Sequence, residues 1–137
     1  MKKYFVDASV ILKTILKESD SVSKRFGKIL KEVKSGKVEL FSQKFLTVEV
    51  ANGFRYGTND VSEALEYFDV FIKLPIKYLN LTKMQQRKTI EVSYELRTTV
   101  YDTSYHISAK AHGATFSTCD EEYYKKAKSL GDIEFLG

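Results

Sequence analysis

Short apolar runs alternate along the chain with segments in which apolar residues recur every three or four positions. The short runs predict buried β-strands, and the periodic segments predict helices with one apolar face. The predicted strands cover residues 3–6, 38–41, 76–79, 114–117 and 133–135. The predicted helices cover residues 9–17, 21–35, 45–56, 61 to just before Pro75, 82–97, 101–112 and 121–129.

The order of these elements predicts the fold class. Strands that alternate with helices and are apolar throughout indicate a parallel sheet covered on both faces. We therefore expect an α/β protein, a three-layer sandwich with a central, mostly parallel sheet of about five strands and helices on both faces. The chain has 137 residues, 43% of them apolar, and no linker-like stretch, so it is expected to form a single domain, 1–137.

The fourth predicted helix carries one apolar stripe, formed by Val61, Leu65, Phe68 and Ile72. A stripe with this spacing is typical of a helix that packs on a core. The helix follows Thr58-Asn59-Asp60, in which Asn or Asp is available to cap its start.

Composition narrows the cellular location. A single cysteine, Cys119, excludes an intramolecular disulfide and a cysteine-only zinc site. No apolar run is long enough to span a membrane, and an aspartate interrupts what would have to be the core of a signal peptide in MKKYFVDASVIL. We therefore expect a cytoplasmic protein with no membrane partner. The net charge of +4 comes from 22 basic and 18 acidic residues, so charge alone identifies no partner.

Four acidic side chains adjoin the apolar elements. Asp7 directly follows the first strand in YFVDASVIL, and Asp120 follows the fourth strand in FSTCDEE. Asp102 opens the sixth helix, and Glu49 lies in the third helix among apolar neighbours. Ligands of open parallel sheets gather outside the carboxyl ends of the strands. The four acids are therefore candidate site residues.

Each acid also has a purely structural interpretation. For Asp120, Thr118 and Glu121 stand three apart as a capping box that would put the aspartate in the first helical turn. Asp7 and Asp102 could be helix N-caps, and the glutamate could face solvent. These interpretations stay open for any one acid, whereas the joint pattern of four favours a site.

A site built from these four acids would bind a metal. Converging carboxylates repel one another and raise one another's pKa values unless a cation neutralises them. Oxygen ligands without a cysteine or a histidine pair at metal spacing favour Mg²⁺ or Mn²⁺ over zinc. Such a metal activates water and stabilises charge on phosphate oxygens, so a pocket of this kind suits phosphodiester hydrolysis.

The chain resembles the PIN-domain ribonucleases, and most closely the small VapC-type toxins of toxin–antitoxin systems. The matching pieces are VDAS near the N-terminus, VEVANGFR in the middle and YDTSYHISAKAHGATFSTCDEE near the end. The resemblance implies a central parallel sheet between helices, and a cluster of acids that binds Mg²⁺ or Mn²⁺ for RNA cleavage. It also implies a homodimer and a small antitoxin protein as a partner.

By position, the resemblance assigns a catalytic role to all four acids. Glu49 is expected to position or deprotonate the attacking water. Ser9 and Thr118 match the small hydroxyl residues that accompany the first and last acids. Thr103-Ser104 is a departure, since the family usually has apolar residues there. The metal ligands, held directly or through water, are expected to be Asp7, Asp102 and Asp120.

Three further side chains were candidates for the site. His106 lies four residues after Asp102 on the same helical face, but four acids suffice for a hard metal, and a packed or surface histidine is expected. Cys119 has no positively charged partner that would lower its thiol pKa, so it is not expected to be a nucleophile. Arg55, on the third helix after Glu49, is the candidate RNA contact because it is expected to lie near the acidic pocket.

Two other function classes compete with a toxin nuclease. A receiver-type phosphoacceptor module needs an acid directly after the third strand and a lysine after the last, and the sequence argues against it because Asn80 and Gly137 stand there. Because all four acid positions are filled, we expect an active enzyme. An RNA-processing or decay nuclease that is not a toxin, and a PIN-like interaction domain without catalysis, remain as alternatives.

Overall fold

The computed structural model describes residues 1–137 and consists of five strands, seven α-helices and one 3₁₀ turn. The strands are β1 (Lys2–Val6), β2 (Val38–Gln43), β3 (Lys77–Leu79), β4 (Thr115–Thr118) and β5 (Ile133–Phe135). The helices are α1 (Ala8–Ile15), α2 (Asp20–Lys34), α3 (Leu46–Gly57), α4 (Val61–Phe71), α5 (Lys83–Leu96), α6 (Val100–Ala111) and α7 (Glu121–Ala127), and the 3₁₀ turn is Lys128–Leu130. No helix combines the length and apolar character needed to cross a membrane.

All the predicted strands and helices form, and most of their ends differ from the predicted ends by one or two residues. The five strands make a single sheet in the order β3-β2-β1-β4-β5, and every pairing is parallel. Helix α1 packs with α2, α3 and α4, whereas α6 packs with α5 and with β1, β2 and β4. The predicted α/β fold with a parallel sheet is therefore confirmed.

The direction of the chain through the sheet reverses once. The chain adds β2 and β3 on one side of β1, and then returns to add β4 and β5 on the other side. Because parallel crossovers are right-handed, this reversal puts α1 to α4 on one face and α5 to α7 on the other. The switch point lies between β1 and β4, where Val6 pairs with Ser117. Open α/β sheets bind ligands in the crevice that such a switch point creates.

Aromatic packing fixes α6 and α7 on the sheet beside this switch point. The fully buried ring of Tyr105, from α6, stacks on Phe116 of β4 at 6.2 Å and meets Phe5 of β1 edge-on at 6.5 Å. Tyr123 of α7 meets Phe116 edge-on at 5.9 Å. Burying each of these rings stabilises the fold by about 1.5–3 kcal/mol. The N-termini of both helices are thereby held next to the ends of β1 and β4.

The apolar stripe predicted for α4 is wrong for three of its four residues. Val61, Leu65 and Ile72 are 71%, 58% and 57% exposed, whereas Phe71 is 1% exposed. The helix packs through a second, overlapping stripe that carries more aromatic surface and so buries more apolar area when it faces the core. That stripe comprises Ala64, Tyr67, Phe68 and Phe71. The start of α4 agrees with the prediction, because the Asp60 side chain accepts a hydrogen bond from the Glu63 N–H at 2.9 Å.

Helices α1 and α3 cross closely at Gly53, where a Cβ atom would overlap the Leu12 side chain. We expect Gly53→Ala to lower the free energy of unfolding by about 1 kcal/mol, since overpacking costs ~1–3 kcal/mol and alanine's better helix propensity returns at most ~1 kcal/mol. Gly27 in α2 is the matched control, because no atom lies within 4 Å of the position that a Cβ atom would take there. Gly27→Ala should raise stability by ~0.5–1 kcal/mol. Urea denaturation measures both changes, and an equal gain for both would contradict the close packing.

Candidate functional site

All four candidate acids lie at helix N-termini. Asp7 is the N-cap of α1 and Asp120 is the N-cap of α7. Glu49 and Asp102 lie in the first turns of α3 and α6. Helices α1, α3 and α7 directly follow β1, β2 and β4 and so begin near the carboxyl edge, whereas α6 begins there because it runs back along the sheet into β4. The acids from distant parts of the sequence therefore lie along one edge.

These positions decide the structural interpretations that the sequence left open. Asp7 does cap α1, whereas α6 is capped by Thr99, whose hydroxyl accepts from the Asp102 N–H at 3.1 Å. The capping box suggested for Thr118 and Glu121 does not form. Asp120 itself accepts a hydrogen bond from the Tyr123 N–H at 3.0 Å and caps α7.

Asp7 is the buried member of the group, with 8% of its surface exposed. Its Oδ1 accepts hydrogen bonds from the Ser9 hydroxyl at 2.5 Å and the Ser9 N–H at 3.1 Å. Its Oδ2 accepts from the Thr118 hydroxyl at 2.6 Å, and the Cys119 N–H donates to Ser9 Oγ at 2.9 Å. The structure thus places both predicted hydroxyl residues on Asp7, where they link the end of β1 to the end of β4.

The protonation of Asp7 reflects two opposing effects. Burial raises the pKa of its carboxyl group to about 6, although the hydrogen bonds from Ser9, Thr118 and the backbone favour the charged form. The negative charge of Asp102 raises this pKa further. Asp7 therefore carries a charge that its surroundings stabilise only in part.

Asp102 and Asp120 line one cavity of about 400 Å³ at the carboxyl edge. The Asp120 N–H donates to Thr118 Oγ1 at 3.1 Å, so one hydroxyl contacts both Asp7 and the residue that caps α7. Burial raises the pKa of Asp102, a hydrogen bond from Thr99 lowers it, and the charges of Asp120 and Glu122 raise it. Asp102 is thus in electrostatic contact with acids on both sides.

Glu49, in the first turn of α3, accepts a hydrogen bond from the Tyr105 hydroxyl of α6. Burial raises the pKa of Glu49, the Tyr105 hydrogen bond opposes this rise, and the charge of Asp102 adds to it. Burial and the Glu49 carboxylate raise the pKa of Tyr105, which keeps its hydroxyl protonated as a donor. Tyr105 was not among the residues predicted for the site, although its position three residues after Asp102, on the same helix, places it within reach of the same acids.

The carboxylates have the right chemistry for a hard cation but are not preassembled around one. As the side chains stand, no group of three or more His, Cys, Asp or Glu residues could hold a metal ion together. Asp7 is engaged by hydroxyls and Glu49 by Tyr105. An all-oxygen donor set nevertheless fits Mg²⁺ or Mn²⁺, which keep several waters in proteins. A cation would also relieve the mutual rise in pKa of Asp7, Asp102 and Glu49.

Two cations that the sequence analysis did not predict line the same cavity as Asp102 and Asp120, namely Arg97 and Lys126. Arg97 ends α5 in the left-handed conformation, with φ 56°, and its carbonyl oxygen accepts from Lys126 Nζ at 3.0 Å. Lys126 also pairs with Glu122 at 3.5 Å, whereas the Arg97 guanidinium forms no ion pair. The i, i+4 spacing of Glu122 and Lys126 is readable in the sequence, but the approach of Arg97 depends on the turn between α5 and α6.

The remaining candidates lie away from this cavity. Arg55 lines a separate cavity of about 410 Å³ between α3 and α4, which none of the four acids lines. His106 is fully buried, with its ring nitrogens 2.9 Å from the Tyr123 hydroxyl and 2.8 Å from the Gly131 carbonyl oxygen, so the expected packed histidine is confirmed. Burial raises the pKa of the Cys119 thiol to about 11, as expected for a residue that is not a nucleophile.

Solved structures show the same fold. Over 98% of this chain and 91% of the other, the chain matches PAE2754 from Pyrobaculum aerophilum with a TM-score of 0.69 and 22% identity. It matches VapBC2 from Rickettsia felis, bound to a DNA fragment from its promoter, over 97% and 98% of the two chains with a TM-score of 0.71 and 16% identity. DNA-bound VapBC from Salmonella typhimurium matches over the full length of both chains, with a TM-score of 0.72 and 15% identity.

These likenesses confirm, at the level of the fold, the resemblance to PIN-domain proteins of the VapC type. No protein-family model and no curated protein matches the sequence. The roles of the four acids therefore rest on the residues themselves and on their placement at the switch point.

Asp7→Asn is expected to stabilise the metal-free protein at neutral pH. The pKa of Asp7 in the folded state, about 6, lies above its ordinary value of 3.8, so folding favours the protonated form. The contribution of Asp7 to the free energy of unfolding is therefore fully present below about pH 4. It is lost as the pH rises through 6, by at most ~3 kcal/mol. Asparagine retains an acceptor oxygen and carries no charge, so it removes this loss.

Urea unfolding in EDTA at several pH values between about 4 and 8 tests this expectation. The unaltered protein should lose stability over this range, and Asp7→Asn should lose less. Asp60→Asn, at an exposed N-cap outside the acidic cavity, should keep the profile of the unaltered protein. Identical profiles for the unaltered protein and Asp7→Asn would contradict the charged, buried state of Asp7.

Proposed function

We propose that the chain is a Mg²⁺- or Mn²⁺-dependent ribonuclease that hydrolyses RNA phosphodiester bonds, and that it is the toxin of a VapBC-type toxin–antitoxin pair. The observation that carries the proposal is the placement of four acids, Asp7, Glu49, Asp102 and Asp120, at the switch point of a sheet with the fold of the VapBC structures. An acidic cavity alone would repel RNA, so the proposal requires a cation in the site.

Asp7, Asp102 and Asp120 would hold the metal, either directly or through water. When bound, Mg²⁺ or Mn²⁺ would supply positive charge for a phosphate oxygen and lower the pKa of a water molecule. Ser9 and Thr118 orient Asp7 from both of its oxygens and so limit how the carboxylate can turn. This preorganisation is the contribution that the two hydroxyls would make to the reaction.

Glu49 would position the attacking water and accept its proton. Its raised pKa brings the carboxylate closer to the range in which a general base works at neutral pH. The hydrogen bond from Tyr105 occupies one carboxylate oxygen and leaves the other for water. As water adds to phosphorus, one of its protons would pass to Glu49, the bond to the leaving ribose oxygen would break, and that oxygen would take a proton from solvent.

The cations of the cavity would contact the RNA backbone. Arg97 and Lys126 line the same cavity as Asp102 and Asp120. Because the Arg97 guanidinium forms no ion pair, it is available for bidentate hydrogen bonding to a phosphate. Arg55 lies in the other cavity and not beside the acids as expected from the sequence, so it would contact only a more distant part of a strand.

A small antitoxin protein is the proposed partner, and the chain itself is proposed to form a homodimer. The support for a protein partner is twofold. Two of the solved structures with this fold are VapBC complexes. Three apolar side chains of α4 and its C-terminal end, Val61, Leu65 and Ile72, stay exposed, and exposed apolar surface marks protein contacts.

Asp120→Asn should abolish Mg²⁺- or Mn²⁺-dependent RNA cleavage, with a loss of at least about a hundredfold for a group that binds the metal. Asp60→Asn is the matched control, because both residues are helix N-caps and asparagine caps as well as aspartate. Neither variant should lose stability, and only Asp120→Asn should lose activity. Cleavage is measured on single-stranded RNA with and without EDTA.

Equal activity of Asp120→Asn and the unaltered protein would contradict the site assignment. Titration calorimetry with Mn²⁺ separates an active metal site from a PIN-like interaction domain. An unaltered protein that binds no Mn²⁺ and cleaves no RNA would favour the interaction domain over the nuclease.

The toxin role predicts a growth phenotype. Expression of the unaltered chain in a bacterial host should arrest growth, and expression of Asp120→Asn should not. Co-expression of a small DNA-binding protein encoded next to the gene should restore growth. Cleavage in vitro without growth arrest would favour an RNA-processing or decay nuclease instead.

A further inference from the structure

A second cavity, like the acidic one, is lined by residues from the start of α6, and it takes no part in the proposed reaction. It has a volume of about 320 Å³ and lies between the end of β2, the start of α3, α5 and the start of α6. Tyr101 at its wall directly precedes Asp102 in the chain, and Ser104 directly precedes Tyr105, which holds Glu49. The cavity therefore lies at the N-terminal ends of α3 and α6, the two helices whose first turns carry Glu49 and Asp102.

Two exposed aromatic rings form one wall of this cavity. Phe45 and Tyr101 come from different elements and stack with their centroids 5.3 Å apart and an angle of 20° between the rings. Phe45 is 39% exposed and Tyr101 is 61% exposed, so the pair presents an open aromatic surface to solvent. Stacked rings of this kind extend naturally by one more flat ring, because every nucleobase has a face that can stack on them.

The rest of the lining is uncharged and combines three aliphatic side chains with amide and hydroxyl groups. The buried Gln43 donates from Nε2 to Ser104 Oγ at 2.6 Å, and the Ser104 hydroxyl donates to the Tyr101 carbonyl oxygen at 2.7 Å. Gln86 adds an exposed amide at the rim. Amide groups can donate to and accept from the edge of a base, which is how side chains read bases in splayed single strands.

One of the two cavities has charged lining residues and the other has none, just as a nucleotide has a charged phosphate and an uncharged base. The acidic cavity holds the carboxylates together with Arg97 and Lys126, which suits a metal-bound phosphate. The second cavity is lined by no charged side chain and suits an uncharged ring. Its volume is sufficient, because an apolar cavity of about 150 Å³ already accommodates benzene.

We propose that the cavity beside Phe45 and Tyr101 binds the base of an RNA nucleotide adjacent to the cleaved phosphodiester bond, and so sets the base preference of cleavage. The base stacks on the aromatic pair, and the amides of Gln43 and Gln86 contact its edge. This inference rests on the proposed ribonuclease function and identifies single-stranded RNA as the substrate class, since a base within a duplex cannot enter a side cavity.

Tyr101→Ala tests the stacking wall, and Tyr101→Phe tests whether the ring suffices. Tyr101→Ala should raise KM about tenfold with kcat changed less than about twofold, because stacking contributes ~1–3 kcal/mol per base. It should also flatten the base preference next to the cut when a pool of random single-stranded RNA is cleaved and sequenced. Tyr101→Phe should retain both properties. Tyr94→Ala removes an exposed tyrosine of α5 outside the cavity and should match the unaltered protein.

A second measurement separates failure of this inference from failure of the proposed function. Binding of a short labelled single-stranded RNA, followed by fluorescence anisotropy with Asp120→Asn as the background, should weaken about tenfold when Tyr101→Ala is added. Equal RNA binding with and without Tyr101→Ala would overturn the base site, even if the protein cleaves RNA. A tenfold loss of binding would support the base site, even if the unaltered protein cleaves nothing.

Gel filtration with light scattering tests whether a second copy of the chain, and not a base, binds to this face. An oligomeric state that Tyr101→Ala leaves unchanged, together with the loss of base preference, supports the base site. A dimer that dissociates in Tyr101→Ala, with the base preference intact in the residual activity, would overturn it.

Discussion

The burial of the Asp7 carboxylate is the constraint on which the rest of the site depends. A charged group with 8% exposure is costly unless hydrogen bonds replace the lost water. Here the replacement comes from Ser9, which follows in the same chain segment, and from Thr118, which is 111 residues away in sequence. The bond to Thr118 can form only if β1 and β4 are neighbours and in register. The hydrogen bond between Asp7 and Thr118 therefore requires the strand order at the switch point.

The acids also constrain one another. Asp102 raises the pKa values of Asp7 and Glu49, and Asp120 raises that of Asp102, so the four carboxylates form a chain of coupled charges. Two features oppose this repulsion: the helix N-termini and the hydroxyl donors. These partial compensations leave a carboxylate cluster with a net need for positive charge. Such a cluster is less stable without a cation than a neutral one would be, which is a common cost of functional sites.

Much of the fold could be predicted because strand and helix signals were both strong. Each strand is short, and the central strands carry buried apolar residues, which a sheet covered on both faces accommodates. The failure at α4 has a physical cause, since a helix with two overlapping apolar stripes does not specify which one packs. The aromatic stripe with Phe71 packs against α3 and α1, and Val61 and Leu65 therefore remain exposed. Tertiary packing decided this, and local spacing could not.

The candidate acids could be selected from sequence for a reason that also explains why single residues were ambiguous. In this fold the helices that carry the acids begin at one edge of the sheet, so a residue suited to a helix N-terminus is carried to the switch point by the topology alone. The capping and catalytic interpretations of Asp7 and Asp120 are therefore compatible: the cap bonds use one carboxylate oxygen and fix its direction.

What sequence spacing could not supply is the approach of groups from unrelated turns. Arg97 reaches the cavity through a left-handed residue at the end of α5, and the stacking of Phe45 on Tyr101 joins the starts of α3 and α6. Both depend on where two helix ends meet, which is a property of the packed sheet and not of either segment.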